Sequence, residues 1–245
     1  MVIVIEEPGL SPAVEDYLKA IYHLSSHGEH SGQAIAERLG VAQASVTAMC
    51  RRLQEQGLVD WAPYRPISLT PRGQQSALAV IRRHRILETF LHEVLDMPWD
   101  EVHEEAEVLE HHISPRLLER MADRLGDPHF DPHGDPIPAA DGTLPESDTH
   151  PLAGAAPNAT LTVHRVRVSR PEVLRYLDGI GIRPGARIAI IERAPFAGPV
   201  TVGIEGGARH ALDQSLAQQI EVSQEPGRAL GPRHGTPPAP DPART

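Results

Sequence analysis

Three helical patterns with clear starts and ends lie near the beginning of the chain, and they limit its fold more than any other feature. The first follows a serine suited to an N-cap, Ser11, with proline next, and repeats apolar residues at helical spacing, namely Val14, Leu18, Ile21 and Leu24. The second begins at Ser31 and ends at Gly40, and the third covers residues 42–56 and ends at Gly57. Two helices joined by a tight turn that contains glycine predict a helix-turn-helix motif. A small helical domain without a role in DNA binding is the alternative interpretation.

Two strand-like segments, residues 58–61 and 66–69, follow the third helix and enclose a short turn at residues 62–65. This arrangement is the shape of a wing, so residues 1–75 are predicted to form a winged helix-turn-helix domain that binds DNA. In such domains the first turns of the recognition helix meet base edges and phosphates. Polar side chains that suit these targets occupy the third helix and the wing, namely Gln43, Ser45, Thr47, Arg51 and Arg65.

The distribution of charge supports this prediction better than the total charge does. The 245-residue chain has a formal net charge of −10, which argues against indiscriminate binding to polyanions. Residues 31–75, however, contain five arginines and three acidic residues, a local excess of positive charge. A surface that accepts DNA is therefore compatible with an acidic molecule.

Composition also limits the class of protein. The chain is long enough for more than one domain, and its 40% hydrophobic content can supply ordinary cores. Its single cysteine, Cys50, excludes an internal disulfide framework and fits a reducing compartment. The N-terminal residues lack the basic region of a secretion signal, and no stretch approaches the roughly 18 consecutive apolar residues of a membrane helix. We therefore expect a cytoplasmic protein.

Acidic residues and histidines are concentrated on one predicted helix in the middle of the chain. At about 100° per residue, Glu107 and Glu110 lie within roughly 40° of His103. His111 can join the same face, whereas His112 points to the opposite side of the helix. These side chains are all common metal ligands, so the pattern indicates a metal site on one helix face.

The charge of this helix gives a second reason to expect a cation. Residues 100–110 contain six acidic residues and no lysine or arginine, so their carboxylates repel one another unless solvent or a cation compensates. A divalent metal would remove that repulsion, and a solvated acidic helix face is the alternative. His84 and Glu88, four residues apart on another predicted helix, share one face as well. Such a pair can be a surface ion pair, but two helices of this kind can also bring imidazoles and carboxylates together.

Four short segments accompany the winged helix-turn-helix in a specific order, namely residues 14–18, 83–88, 102–111 and 133–138. Together they give residues from about 10 to 222 a resemblance to the diphtheria-toxin-repressor family of metal-dependent transcriptional regulators. The resemblance implies a mostly α fold with a small β domain: a winged helix-turn-helix, a helical dimerisation domain and a C-terminal SH3-like barrel. It also implies a homodimer that binds double-stranded operator DNA. The dimerisation helices are then expected near residues 71–95, 100–112 and 114–125.

The resemblance further implies two metal sites. The primary site maps onto four residues, namely Asp16, Glu107, Glu110 and His111. The ancillary site maps onto His84, Glu88 and His103. The family uses additional ligands from the C-terminal domain, for which the nearest match is Glu172. A capping box from Ser169 to Glu172 at the start of a short helix is the alternative role for this residue.

The ligand types resemble two branches of the family at once. Iron-responsive members have methionine and cysteine where this chain has Asp16 and Glu107, so these carboxylates resemble the manganese-responsive branch. His103 resembles the iron-responsive branch, and short manganese-responsive members have a glutamate where this chain has Lys19. Hard oxygen ligands with one imidazole suit Mn(II) and Fe(II), although intrinsic affinity ranks Zn(II) above both. The expected cofactor is therefore Mn(II) or Fe(II).

Composition divides the remainder of the chain after a helical domain at residues 76–126. The next segment is rich in proline, glycine and aspartate and predicts an irregular linker. Strand-like patterns at residues 161–168, 188–191 and 200–204 then indicate the SH3-like domain. A proline-rich tail predicts disorder. The predicted bounds of these three parts are 127–157, 158–222 and 223–245.

The sequence therefore predicts a metal-dependent DNA-binding repressor that senses Mn(II) or Fe(II), or both, and controls genes of metal homeostasis. A winged-helix regulator that senses another ligand is one alternative. A metalloenzyme is another, but it needs an open coordination position and a general base. The chain lacks the His-Glu-x-x-His motif, because His103 and Glu104 are followed by Glu105, Ala106 and Glu107. The protein is accordingly predicted not to be an enzyme.

Overall fold

The computed structural model describes residues 10–62, 65–157, 159–204 and 208–224. Within these ranges a helical N-terminal half precedes an antiparallel sheet, in agreement with the predicted mostly α fold and small β domain. The eight α-helices of the described residues are α1 Pro12–Ser25, α2 Gly32–Leu39, α3 Gln43–Glu55, α4 Pro71–Leu95, α5 Val102–Leu109, α6 Pro115–Leu125, α7 Pro171–Gly179 and α8 Gln214–Gln218. No described helix is both long and apolar enough to cross a membrane.

Short polar side chains start several of these helices. The hydroxyls of Ser31, Thr70 and Ser114 accept bonds from backbone N–H groups in the first turns of α2, α4 and α6. Ser11 occupies the N-cap of α1 as predicted, but its hydroxyl makes no capping bond. Gly40 ends α2 with a left-handed φ of 64°, a conformation that favours glycine.

Helices α1 to α3 and two short strands form the N-terminal domain. The strands, β1 Val59–Asp60 and β2 Ser68–Leu69, pair antiparallel and confirm the predicted wing. The apolar faces of the three helices meet in one core that includes Leu18, Ile35 and Leu53. Helices α2 and α3, joined by a short turn, form the predicted helix-turn-helix.

The long helix α4 connects this domain to α5 and α6. Helix α5 is shorter than the predicted helix at residues 100–112, because it ends at Leu109 and residues 110–112 form a turn. Glu110 occupies the C-cap with helical backbone angles. Ile86 of α4 packs against Leu118 and Ala122 of α6. These contacts pack α6 against α4.

The C-terminal part is a six-stranded antiparallel sheet. Its strands are β3 His150–Pro151, β4 Thr160–Val166, β5 Arg187–Arg193, β6 Val200–Ile204, β7 Arg209–Leu212 and β8 Ile220–Ser223. Their spatial order is β3-β8-β4-β5-β6-β7, and every neighbouring pair is antiparallel. The predicted strand segments correspond to β4, β5 and β6, although β4 ends at Val166 and not at residue 168.

The segment predicted as an irregular linker, residues 127–157, is more ordered than expected. His150 and Pro151 form β3 against β8, and a short 3-10 helix at Leu152–Gly154 contributes to the core of the sheet. Near the other end, Asp131 and His133 are buried. Proline and glycine interrupt regular elements here, but they do not prevent a segment from packing. Of the tail predicted as disordered, Ser223 lies in β8, and residues 225–245 are outside the described residues.

The segment before the sheet attaches the C-terminal part to the helices. Trp99, which follows α4, belongs to the hydrophobic core of the sheet. The carbonyl of His133 accepts a bond of 2.8 Å from the Val166 N–H of β4. The Asp135 carboxylate contacts Arg85 of α4 and Arg165 of β4. The buried loop around His133 therefore lies between the two halves of the molecule.

Candidate metal centre

The first group of possible ligands lies where α1 meets the end of α5. Asp16, Glu110 and His111 each present one ligand atom, and these atoms lie within 4.8 Å of one another. His111 Nε2 is 3.0 Å from an Asp16 oxygen and 3.5 Å from Glu110 Oε1. The Glu110 side chain is fully buried, whereas that of Asp16 is 38% exposed. One side chain of the N-terminal domain thus joins two from the helical domain.

A second carboxylate of α1 determines how His111 is oriented. Glu15 accepts a bond of 2.7 Å from His111 Nδ1, which leaves Nε2 directed at Asp16 and Glu110. Arg83 of α4 contacts the other Glu15 oxygen and donates a bond of 3.1 Å to the Glu110 carbonyl. Outer carboxylates of this kind commonly fix the ring of a metal-binding histidine. Glu15 lies in the segment at residues 14–18, but no pattern in the sequence predicted this role.

Glu107, the fourth residue predicted for the primary site, is placed differently. It forms a separate ligand group with His84 and Glu110, and its side chain is 39% exposed. Its Oε1 atom is 2.7 Å from Nζ of Lys19, and Glu110 Oε1 is 2.6 Å from the same ammonium. The predicted set of four is therefore divided, because a protein cation from α1 occupies the space between two of its carboxylates.

The ionisation of these groups follows from burial and from their partners. Burial raises the pKa of Asp16, and His111 and Lys19 only partly oppose this effect. Burial would also raise the pKa of Glu110, but the bonds from His84 and Lys19 outweigh it and hold that pKa below its usual value. Burial would lower the pKa of Lys19, and Glu110 and Glu107 raise it instead. Lys19 and Glu110 thus favour each other's charged forms, whereas burial disfavours the charged form of Asp16.

The predicted ancillary residues form a compact group between α4 and α5. His84 Nε2 is 2.9 Å from Glu88 Oε1 and 3.1 Å from His103 Nδ1, which is itself 3.0 Å from Glu88. The other ring nitrogen of His84, Nδ1, is 2.6 Å from Glu110 Oε2. Burial would lower the pKa of His84, but Glu88 and Glu110 raise it to about 10. His84 therefore connects the two groups through a pair of buried carboxylates.

A further group was not identified from the sequence. Glu88, Asp131 and His133 are all buried, and one ligand atom from each lies within 4.8 Å of the others. His133 Nε2 is 2.7 Å from the Trp99 carbonyl, and its Nδ1 is 3.9 Å from Glu88. Burial raises the pKa of Asp131 well above its usual value, with help from Asp135. The spacing of an aspartate and a histidine two residues apart could have indicated this group.

Glu172 lies apart from all of these groups. It is in the first turn of α7, with its side chain 61% exposed and 3.7 Å from Arg170. No ligand group found among the described residues includes it. The alternative prediction of a capping box is wrong, because Arg170 is the N-cap of α7 and no side chain caps this helix. Proline at the first position starts the helix instead.

The predicted DNA-contacting residues lie on α3 and between the two wing strands of the N-terminal domain. On α3, Val46, Cys50 and Leu53 are buried in the core. The predicted contacts on the same helix and at the wing are all exposed: Gln43, Ser45, Thr47, Arg51 and Arg65. Met49 is partly buried and packs against the same core. The polar face of α3 is therefore available to a partner.

The ligand groups around His111 and around His84 contain the donor types that first-row divalent ions accept. Carboxylate oxygens with imidazole nitrogens suit Mn(II), Fe(II) and Zn(II), and thiolates are absent from every group found among the described residues. Glu15 and Arg83 already hold His111 in a ligating orientation. The donor set of the protein therefore fits a divalent metal ion.

Comparison with known protein families divides the chain into the same parts. The iron-dependent repressor N-terminal DNA-binding domain matches residues 9–67, and the iron-dependent repressor metal-binding and dimerisation domain matches residues 70–139. The FeoA domain matches residues 150–224. These three matches cover the winged helix-turn-helix, the helices with both ligand sets and the sheet.

Individual proteins with similar sequences and structures are metal-dependent regulators by name. The iron-dependent repressor IdeR of Mycobacterium tuberculosis is 31% identical over 232 residues, which cover 88% of this chain and 98% of IdeR. The regulator MntR of Oceanobacillus iheyensis is 35% identical over 111 residues, 45% of this chain and 75% of MntR. A solved manganese-dependent transcriptional repressor in complex with manganese has 43% identity and a TM-score of 0.80, and the match covers 86% of this chain and 99% of that structure.

Proposed function

Because the chain belongs to the iron-dependent repressor family, we propose that it is a transcriptional repressor whose DNA binding requires Mn(II) or Fe(II). Its targets are then genes of metal homeostasis. One observation supports this proposal best: Asp16, on a helix of the DNA-binding domain, meets Glu110 and His111 of the helical domain. A ligand set shared between two domains allows metal binding to control their relative position. Such a protein acts by binding and not by catalysis, as its named relatives do.

The proposed primary site consists of Asp16, Glu110 and His111, with Glu107 as a fourth ligand from the same face of α5. The proposed ancillary site consists of His84, Glu88 and His103, whose ring and carboxylate atoms lie 2.9 to 3.1 Å apart. Glu172 is the weakest candidate from the sequence, because its carboxylate is exposed on α7.

The residues of the primary site each have a separate task in this mechanism. A bound divalent ion supplies positive charge that neutralises the buried carboxylates. Asp16 transmits the state of the site to α1, because it is the ligand on that helix. Glu15 and Arg83 orient His111 and the Glu110 backbone, so that their ligand atoms face Asp16. Helix α1 packs in the same core as α2 and α3, which places the response at the DNA-binding surface.

The proposed partners are double-stranded operator DNA and a second copy of the chain. The exposed polar face of α3, with Gln43, Ser45, Thr47 and Arg51, contacts bases and phosphates, and Arg65 contacts the backbone from the wing. The helical domain at residues 76–126 supplies the homodimer, in accordance with the dimerisation domain that matches it. The proposed location is the cytoplasm, because the proposed partner, operator DNA, is found there.

The proposal predicts that the metal-free dimer binds operator DNA weakly and that metal increases the affinity. A duplex is first selected from a random pool in the presence of Mn(II), and its binding is then measured by fluorescence anisotropy with Mn(II), with Fe(II) under anaerobic conditions, and with EDTA. Coupling between two sites is commonly about 1 to 3 kcal/mol, so the affinity should rise about 5- to 150-fold.

The control is a shuffled duplex of the same length, which should show no metal response. Equal affinity for the selected duplex with and without metal would contradict the proposal. A response to a small organic molecule in the presence of EDTA would favour a regulator that senses another ligand.

A further inference from the structure

Lys19 is the only lysine among the 23 lysines and arginines of this chain. It lies on α1 one turn after Asp16, and its side chain is only 12% exposed. Its Nζ atom is 2.7 Å from Glu107 Oε1 and 2.6 Å from Glu110 Oε1. The ammonium of Lys19 thus contacts two carboxylates that are proposed metal ligands.

The position of the ammonium conflicts with that of a metal ion. Glu110 Oε1 is the oxygen that faces His111 Nε2 in the ligand group with Asp16, and Lys19 already contacts this oxygen. Two cations at such short range repel each other strongly, because little solvent separates them. A divalent ion bound to Glu107 and Glu110 therefore requires Lys19 to release both carboxylates.

The chemistry of lysine suits this role. An ammonium is a compact point charge on a flexible stem, and it can leave a carboxylate pair without a fixed hydrogen-bond geometry. The planar fork of an arginine would hold the carboxylates in a bidentate arrangement and occupy more space. Lys19 lies between two of the proposed metal ligands, Glu107 and Glu110.

We propose that Lys19 is a built-in counter-cation that competes with the metal ion for Glu107 and Glu110 and thereby sets the metal concentration at which the protein responds. In the metal-free protein Lys19 joins α1 to α5 and relieves the repulsion among the carboxylates. On metal binding the ammonium moves away from them. This inference rests on the proposed function, because it concerns the same metal site.

The affinity of the metal-free protein for MnCl2, measured by isothermal titration calorimetry, tests the competition. Lys19→Met removes the charge and keeps an unbranched side chain, so the dissociation constant for Mn(II) should fall by about tenfold or more. Lys19→Arg keeps the charge and should not show this gain. Arg175→Met is the matched control, because it removes a cation 3.1 Å from Asp100, away from the proposed ligands, and should leave the affinity unchanged.

Thermal unfolding gives a second test, in which Lys19→Met should destabilise the metal-free protein although it strengthens Mn(II) binding. Without metal, Lys19→Met should unfold at a lower temperature than the wild type, because the carboxylates lose their counter-cation. The stabilisation by a given Mn(II) concentration should be larger in this variant than in the wild type, because tighter binding stabilises the folded state more. If Lys19→Met does not fold without metal, Lys19→Gln serves for both measurements, since its amide can still bond one carboxylate.

Chemical labelling of the wild type follows the movement of the side chain directly. The N-hydroxysuccinimide ester of acetic acid acetylates free amines, and among side chains of this protein only Lys19 presents one. Mass spectrometry should show slow acetylation of Lys19 in the metal-free protein and faster acetylation after saturation with Mn(II). Zn(II) should have the same effect, because the competition depends on charge.

Unchanged or weaker Mn(II) binding by folded Lys19→Met would overturn the inference, and so would an acetylation rate that is unchanged or reduced by Mn(II). These results differ from a failure of the proposed function. If the wild type binds no Mn(II) or Fe(II), or if bound metal leaves DNA affinity unchanged, the proposed function itself is wrong.

Discussion

His111 contacts a different carboxylate of α1 through each of its two ring nitrogens. Nδ1 meets Glu15 at 2.7 Å, and Nε2 meets Asp16 at 3.0 Å. The first contact fixes the ring, and the second leaves one nitrogen within reach of a shared ion. The neighbouring residue, His112, is exposed and belongs to none of the ligand groups in the described parts of the chain. Two adjacent histidines thus have different surroundings.

This difference leads to a prediction for two adjacent substitutions. His111→Ala should weaken Mn(II) binding by at least about a hundredfold and abolish the metal-dependent increase in DNA affinity, because even the outer partners of ligands contribute about 10- to 100-fold. His112→Ala should change neither quantity, and it is the matched control. Calorimetry with MnCl2 and anisotropy with the selected duplex measure the two effects. The reverse ranking would show that the ligand set is assigned to the wrong histidine.

Among the elements, α3 has two faces with separate tasks. Its buried residues, Val46, Cys50 and Leu53, attach it to the N-terminal core. The exposed residues of α3 are polar or alanine, and Met49 is partly buried. Arg51 lies on the exposed face. Because no ligand group found among the described residues includes a residue of α3, DNA contact and metal binding should be separable by substitution.

Arg51→Ala should weaken binding to the selected duplex by about 1 to 3 kcal/mol in the presence of saturating Mn(II), as expected for one lost contact to a base or phosphate. The affinity for Mn(II) should not change. Arg183→Ala, which removes an arginine from the sheet domain where it lies 3.9 Å from Asp178, is the control for net charge. Anisotropy and calorimetry give the two affinities. An equal loss in both variants would indicate a general charge effect and not a contact of α3.

At the scale of the whole molecule, the loop around Gly134 joins the helices to the sheet. Gly134 has a φ of 84°, and a Cβ atom added to it would lie 1.9 Å from the backbone oxygen of His164. The adjacent Asp135 contacts arginines of both halves, which lowers the pKa of its carboxyl despite its burial. The loop is therefore packed too closely against β4 to accept any side chain at this position.

Gly134→Ala should accordingly separate β4 from the loop. It should lower the free energy of unfolding by more than the amount that backbone strain alone would cause. Gly28→Ala is the matched control, because Gly28 has a similar φ of 76° but no atom within 4 Å of an added Cβ. The control should cost about 1 to 2 kcal/mol, the usual penalty of a left-handed conformation for a residue with a Cβ. Chemical denaturation measures both variants, and limited proteolysis between the helical domain and the sheet should be faster only for Gly134→Ala. Equal losses would show that the loop is not a tight contact.

The sequence by itself determined the features that depend on residues close together in the chain. The helix start at Ser31, the helix end at Gly40 and the wing strands follow from local backbone preferences and side-chain spacing. The face shared by His84 and Glu88 follows from the helical period in the same way. Such features need no knowledge of the tertiary structure, because the interacting groups lie within a few residues of each other.

Only the tertiary structure decided which distant groups meet. Lys19 is separated from Glu107 by 88 residues and from Glu110 by 91. The sequence of the acidic helix contains no counter-cation, and it could not show that Lys19 supplies one. The contact of Glu15 with His111 spans 96 residues. Periodicity gives the face on which a side chain lies, but the neighbour of that face depends on how the helices pack. The physical reason is that charge compensation in a folded protein acts through space, whereas sequence patterns describe only distance along the chain.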